Sequence, residues 1–298
     1  MKKAEKDPAF EEIFRRENIE VNEDFLKLRP CEKADNLLYA IMQKCKYHKK
    51  EDGSVLFESS NYNDNIFSES NALLAIAFHH KIASGNVLSE NIVKGIEKHV
   101  GANGRKLVPR FVSDNTGDAG SSLLMAVYYA LDGKKDEAVE LIENVENIVG
   151  FDENGLIKMR PDSDYALTMD NAWLSIAYQY LGRKNDANEV LKIIEEDVEC
   201  FDFKKGCLYD HELHASDVKG PSFNSSTNAS LAAAFFCAGM YDKGVKLLRG
   251  IGKKIGYKYF EREFRLVKYD TNSDCLNVGS SAALAIAFMA REYIENGN

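Results

Sequence analysis

The sequence predicts an all-α fold of two concentric helical layers, and three observations predict it. The first is a repeat. A polar loop running into a helix that is apolar nearly all round begins at Ser68 (SESNALLAIAFHH), Asp118 (DAGSSLLMAVYYAL), Thr168 (TMDNAWLSIAYQYL), Ser225 (SSTNASLAAAFFC) and Val278 (VGSSAALAIAFMA). Aligned on Asn71, Ser121, Asn171, Asn228 and Ser281, the segments step by 50, 50, 57 and 53 residues (121−71, 171−121, 228−171, 281−228). A period of that length marks a repeat architecture. The second observation is what lies between. Residues 137–148 (EAVELIENVENI) and 186–198 (DANEVLKIIEEDV) carry apolar residues on one face and charge elsewhere, the pattern of half-exposed helices. A helix apolar on every side must be surrounded by protein, so it lies inside and its amphipathic partner outside. The third is an asymmetry of loops. Turns after the inner helices are short, and the runs before them are long and polar. The elaborate loops therefore share one rim, where binding and catalysis usually sit on a rigid scaffold.

The elements follow in order. Residues 7–18 (DPAFEEIFRREN) predict an outer helix, with Asp7 as cap and Pro8 in the first turn. Residues 33–47 predict a further inner helix, which with the five repeats makes six. Outer helices are expected over 8–18, 88–99, 135–148, 186–199 and 241–255, with the N-terminal helix packing beside 280–294 to close the ring. Such closure removes the exposed ends that an open solenoid must cap. Each long loop holds a short β-like piece (SVLF, KLVPRF, GLIKMR, GCLYDHEL, EFRLVKY) and then a small polar residue followed by aspartate: Asp64, Asp114, Asp164, Asp217 and Asp274. One domain, residues 1–298, is expected.

Composition narrows the function. A net charge of −9 over 298 residues, with no basic stripe, argues against nucleic acid and anionic membrane surfaces. The inner-helix apolar runs are too short and too often interrupted to span a bilayer. The first residues contain no apolar run of signal-peptide type, and the six cysteines are scattered, so a reducing, cytoplasmic location is expected. No phosphate loop, His-Glu-x-x-His or CxxC pair is present.

The repeat and its one-sided loops resemble the (α/α)6 toroid, or six-hairpin, proteins. These include glucoamylase-like glycosidases, unsaturated-uronyl hydrolases, N-acylglucosamine 2-epimerase-like enzymes and, more distantly, terpene cyclases and prenyltransferase β-subunits. The resemblance spans nearly the whole chain and is architectural. It implies a ring of inner helices whose N-terminal rim forms a funnel for a sugar-like ligand, hence a glycoside hydrolase or a sugar epimerase-like enzyme. A non-catalytic toroid or helical-repeat protein binding through the same rim is the alternative.

Candidate residues come from asymmetry among the repeats. An aspartate present in every repeat is as well explained by a repeated structural job. Asp118, Asp170 and Glu69 occur in one repeat each and are the better chemical candidates. Asp170 is taken as the central carboxylate, with Asp118 as first partner and Asp274 as second. A helix N-terminus favours the ionised form, so a lowered pKa is expected for Asp118 and Asp170; as a plain cap, Asp118 would share the register of Ser68 and Thr168. Substrate contacts are expected from Glu69, Asp64, Asp114, Asp164, Arg110, Arg160, Tyr165, Trp173, His211, His214 and Asp217. Arginine suits a carboxylated sugar, although Arg110 and Arg160 could instead bridge Asp114 and Asp164. Cys200, Cys207, His211 and His214 have the composition of a metal site without a standard zinc spacing, so no metal or cofactor is expected.

Overall fold

The structure is a computed structural model. It describes residues 28–59, 66–81, 85–99, 106–110, 116–197, 200–203, 206–209, 212–213, 224–255, 257–260, 264–267 and 277–297. Ten α-helices occur among them: α1 (Pro30–Lys44), α2 (Ser68–Lys81), α3 (Gly85–His99), α4 (Ala119–Leu131), α5 (Lys135–Asn144), α6 (Thr168–Tyr180), α7 (Lys184–Asp197), α8 (Ser225–Cys237), α9 (Tyr241–Gly250) and α10 (Val278–Glu295). π-helical turns over 145–149 and 251–255 extend α5 and α9. The fold class is the one the sequence predicts, an all-α toroid of inner and outer helices with short strands in the long loops.

Five all-apolar helices, α2, α4, α6, α8 and α10, pack side by side as the inner ring, each flanked by an amphipathic helix. Burial of their whole surface explains their composition. Ala72 to Phe78, Leu123 to Tyr128, Ala229 to Phe236 and Ala282 to Phe288 are buried without interruption. Such close approach of five helices needs small residues, and Ala recurs in every inner helix. The turns α4–α5, α6–α7 and α8–α9 each contain a left-handed glycine, Gly133, Gly182 and Gly239, as expected of tight helix C-terminal caps. Near that end Tyr129 donates to Glu97 (2.8 Å) and Tyr178 to Glu146 (2.5 Å). These equivalent ties link an inner helix to the preceding outer one.

At the opposite end the modules are joined by a repeated hydrogen bond. The first amide of α2 (Ser68) donates to Arg110 O at 2.9 Å, that of α4 (Ala119) to Met159 O at 3.0 Å, and that of α10 (Val278) to Ser59 O at 2.9 Å. In each case the acceptor lies in the loop before the next inner helix. The third bond runs from the last repeat to the first, so α10 closes directly onto α2. Helix α1, expected as an inner member, packs chiefly against α10 and takes the outer place beside it. Its alternation of buried and partly exposed residues suits that layer. The expected helix at 8–18 lies outside the described residues.

Short antiparallel pairs occupy the long loops: β1 (Tyr47–Lys49) with β2 (Val55–Phe57), β3 (Ala166–Leu167) with β6 (Glu212–Leu213), β4 (Cys200–Phe203) with β5 (Gly206–Tyr209), and β7 (Tyr257–Phe260) with β8 (Phe264–Val267). A side chain in the first turn of the inner helix pins this layer. Asn71 accepts from Phe57 N (2.7 Å) and donates to Phe57 O (2.9 Å). Asn171 accepts from Ile157 N (2.8 Å) and donates to Ile157 O and Leu167 O (both 3.0 Å). In the second repeat Ser122 does this work, its Oγ accepting from Val108 N at 2.9 Å. The structural anchor is thus Ser122 and not Ser121, and the first two steps become 51 and 49 residues (122−71, 171−122). Asn171→Ala removes three buried bonds and strands the Ile157 amide. Its unfolding free energy, read by denaturant titration, should fall by roughly 2–4 kcal/mol.

Candidate active site

With the register corrected, the first turns of the inner helices compare position by position. The N-cap residues are Phe67, Asp118, Leu167, Asn224 and Asn277. Asp118 therefore does not share the register of Ser68 and Thr168. It caps as Asn224 and Asn277 do: the three side chains accept from the amides of Ser121 (2.7 Å), Thr227 (2.8 Å) and Ser280 (2.8 Å). Two neutral amides do the same job, so the cap does not by itself require the charge at Asp118.

Two residues into the helices stand Glu69, Gly120, Met169, Ser226 and Gly279; three residues in stand Ser70, Ser121, Asp170, Thr227 and Ser280. A Cβ at Gly120 would lie 2.4 Å from Asp170 Oδ1, and one at Gly279 would lie 2.8 Å from Ser70 Oγ. The third-position side chain thus leans over the second position of the preceding helix. Asp170 is the one carboxylate in that ring of hydroxyls, and it fits because glycine faces it. Sequence reasoning passed over Gly120, although a glycine inside an apolar helix costs about 1 kcal/mol and asks for a packing reason.

Three carboxyl groups from three successive inner helices therefore meet at the rim: Glu69 from α2, Asp118 at the start of α4 and Asp170 from α6. Asp118 and Asp170 are 3% and 2% exposed. Burial holds the Asp170 carboxyl well above the ordinary carboxylate range, reinforced by Asp118 and Glu69 and opposed by Arg110. Burial also pushes Asp118 up to about 7; the Ser121 amide and Arg110 pull it down, and Glu69 pushes it further up. Glu69 is raised by burial and partly offset by Arg110. The helix-terminus expectation of lowered values is overturned for Asp118 and Asp170, because desolvation and like charge outweigh the amide dipoles.

Arg110 is the cation of this group. Its Nε lies 3.9 Å from Glu69 Oε2 and its Nη1 3.8 Å from Met159 Sδ. Tyr165 reaches the same sulfur, its hydroxyl 3.5 Å away, so Arg110 and Tyr165 flank Met159. Arg160 sits 3.6 Å from Asp162 Oδ1 rather than bridging Asp164, which is exposed. Trp173, expected at the substrate, is 1% exposed, and its indole N–H donates to Ser230 Oγ on α8 at 2.9 Å. That places it in the core, where a large ring with one polar edge finds both packing and a partner. Asp64, Asp114, His211, His214, Asp217 and Asp274 lie outside the described residues. Among the described residues no group of three or more His, Cys, Asp or Glu is arranged to hold a metal ion. Nor is any helix among them long and apolar enough to cross a membrane.

The chain folds like toroid enzymes that act on sugars. It is similar to the GH76A α-1,6-mannanase of Salegentibacter sp. HEL1_6, with a TM-score of 0.57 at 13% identity over 89% of this chain and 99% of that one. That mannanase was also solved with α-1,6-mannotriose as an inactive variant carrying two aspartate-to-asparagine substitutions. A D-mannose isomerase gives a TM-score of 0.54 at 12% identity, over 89% of this chain and 86% of that one. A family 105 glycoside hydrolase of C. acetobutylicum ATCC 824 gives 0.53 at 10% identity, over 95% and 98%. No family model matches the chain, and no curated protein matches its sequence. At these identities the likeness establishes the fold, and the site must be argued from its own residues.

Proposed function

We propose that this protein is a carbohydrate-active enzyme, a glycoside hydrolase whose reacting groups are Asp170 and Asp118 at the N-terminal rim of the inner helices. The observation that carries the reading is the pairing of two buried carboxyls with different environments. Asp170 receives no hydrogen bond from a described residue, and burial holds its carboxyl well above the ordinary range, the setting that suits a general acid. Asp118 holds an amide bond from Ser121 and gives its proton up near neutrality. Groups set apart in this way divide the roles of acid and base. Asp170 protonates the glycosidic oxygen as the C1–O bond breaks. Asp118, ionised, either attacks C1 or takes the proton of the attacking water, according to the separation of the two groups. Glu69 and Arg110 tune the pair, and Tyr165 with Asp164 and Arg160 lies along the same rim as candidate sugar contacts. Asp64, Asp114, Asp217, Asp274, His211 and His214 belong to the same rim loops by sequence and complete the proposed contact set.

A sugar isomerase is the second reading, favoured by Asp118 itself: a carboxylate ionising near 7 suits proton abstraction beside a carbonyl. The chain is further proposed to act without a metal or cofactor, in a reducing cytoplasmic compartment; Cys45 and Cys237 are free thiols.

The test offers manno-, gluco- and galacto-oligosaccharides and the free hexoses to purified protein. New reducing ends identify a hydrolase, and ketose formation with deuterium uptake from D2O identifies an isomerase. Asp170→Asn should lower the rate by about a hundredfold or more. Neither product from any sugar, under conditions where the protein is folded, would contradict an enzymatic role. For an active enzyme, kcat/KM should rise with pH through an acid limb near 7, set by Asp118. Glu69→Gln removes a like charge and should move that limb to lower pH; a limb left in place would remove Glu69 from the site.

A further inference from the structure

We infer that the ring carries a second binding site, at the end opposite the rim carboxyls, for a small uncharged aromatic ring bearing a hydroxyl group, a phenol. The short-loop ends of the five inner helices build it, and it does not depend on the sugar-processing reading.

Thirteen residues after the N-caps of the inner helices stand His80, Leu131, Tyr180, Cys237 and Ala290 (80−67, 131−118, 180−167, 237−224, 290−277). One contact shows that this position faces the ring axis. Helix α2 packs on α4 and α10, and α6 packs on α4 and α8, so α2 and α6 are not neighbours in the ring. Yet the Tyr180 hydroxyl lies 3.4 Å from His80 Nε2. The pair spans the inside of the ring, past α4. One turn deeper the equivalent residues are Ile76, Val127, Ile176, Ala233 and Ile286, all buried. They make an aliphatic floor.

Above that floor the ring opens to solvent. His80 and Cys237 are exposed, Tyr180 is 39% exposed, and Leu131 and Ala290 are partly so. The two smallest residues of the five, Cys237 and Ala290, stand on adjacent helices, α8 and α10. They leave a hollow beside the His80–Tyr180 pair. Tyr293, one turn beyond Ala290 and 61% exposed, stands at its lip. Burial, with His79 beside it, lowers the His80 imidazole to about 4. Burial also raises the Cys237 thiol to about 11 and raises the Tyr180 phenol, which Cys237 and Tyr293 raise further. Groups that solvent reaches and that their surroundings still desolvate line a concave surface.

The wall selects the ligand. At neutral pH its imidazole, thiol and phenol groups are uncharged, so a charged ligand would be desolvated without a partner. A pyranose, polar around its whole edge, would strand hydroxyls against the aliphatic floor. A phenol has one polar end, and its ring can pack on the floor and against the edge or face of Tyr180. Its hydroxyl both donates and accepts, so it can join His80 and Tyr180 whichever tautomer the imidazole adopts. At 3.4 Å that pair is held loosely and can admit a closer partner.

The test is a 19F NMR titration of the protein at pH 7.5 with 4-fluorophenol, with fluorobenzene as the ring without a hydroxyl. 4-Fluorophenol should bind, about threefold to tenfold more tightly than fluorobenzene. His80→Phe, which keeps a ring and removes the nitrogens, should erase that margin. Ala290→Leu, at a partly exposed position, should fill the hollow and abolish the binding. The site is overturned if 4-fluorophenol does not bind, or if its binding survives Ala290→Leu unchanged. Displacement of 4-fluorophenol by an equal concentration of methyl glucoside would overturn the ligand class in favour of a sugar.

Discussion

Asp118→Asn should make the protein more stable at pH 8 while removing its activity. The folded-state pKa of Asp118, about 7, stands above its ordinary value of 3.8. Below pH 3.8 the group is protonated whether folded or unfolded, and the site is indifferent to it. As pH rises toward 7 the unfolded chain releases its proton first, so stability falls across that window. Above 7 the full cost is present, about 4 kcal/mol at about 1.4 kcal/mol per pKa unit. Asparagine removes that cost and keeps the cap, as Asn224 and Asn277 demonstrate in their own repeats. The melting temperature should rise by several degrees at pH 8 and be unchanged at pH 4. A lower melting temperature at pH 8 would mean that the charge, and not only the oxygen, serves the cap. A group kept at a cost to stability, where a neutral isostere would do, points to function.

Gly120→Ala should damage the site without touching a carboxylate. Its Cβ would sit 2.4 Å from Asp170 Oδ1, so either α4 or the carboxyl must move. Overpacking of this kind costs about 1–3 kcal/mol, and displacing a reacting group by about 1 Å can cost about a hundredfold in rate. The remedy can be read from the other repeats, where the facing third-position residue is Ser70, Ser121, Thr227 or Ser280. Adding Asp170→Ser to Gly120→Ala should restore stability and leave activity absent. If the double variant is no more stable than Gly120→Ala alone, the clash lies with another neighbour.

Much of the architecture was legible because five segments share one pattern. The all-round apolar helices could only be inner ones, and the long loops could only share a rim. The asymmetric carboxylates Asp118 and Asp170 stood out for the same reason, and the structure brings both together with Glu69. What the sequence hid depends on contacts distant along the chain. Ser121 and Ser122 are identical side by side, and only the bond from Val108 tells which is the anchor. Arg110 lies within 3.9 Å of Glu69, forty-one residues back (110−69), a proximity between repeats that sequence spacing does not announce. The pKa direction was misjudged because a first-turn carboxylate reads as dipole-stabilised, whereas its burial depends on how neighbouring repeats close over it. Helix α1 reads as apolar enough for the inner layer, and only the α10–α2 closure assigns it to the outer one.

The claim that the rim holds an acid and a base side by side is tested most directly by a carboxyl-carbon NMR titration of protein labelled with 13C at aspartate Cγ. One resonance should remain in the protonated range through pH 7 and vanish in Asp170→Asn. A second should titrate near 7 and vanish in Asp118→Asn. If every aspartate resonance of the folded protein instead titrates near 4, the two groups are ordinary solvated carboxylates, and the proposed active site is contradicted.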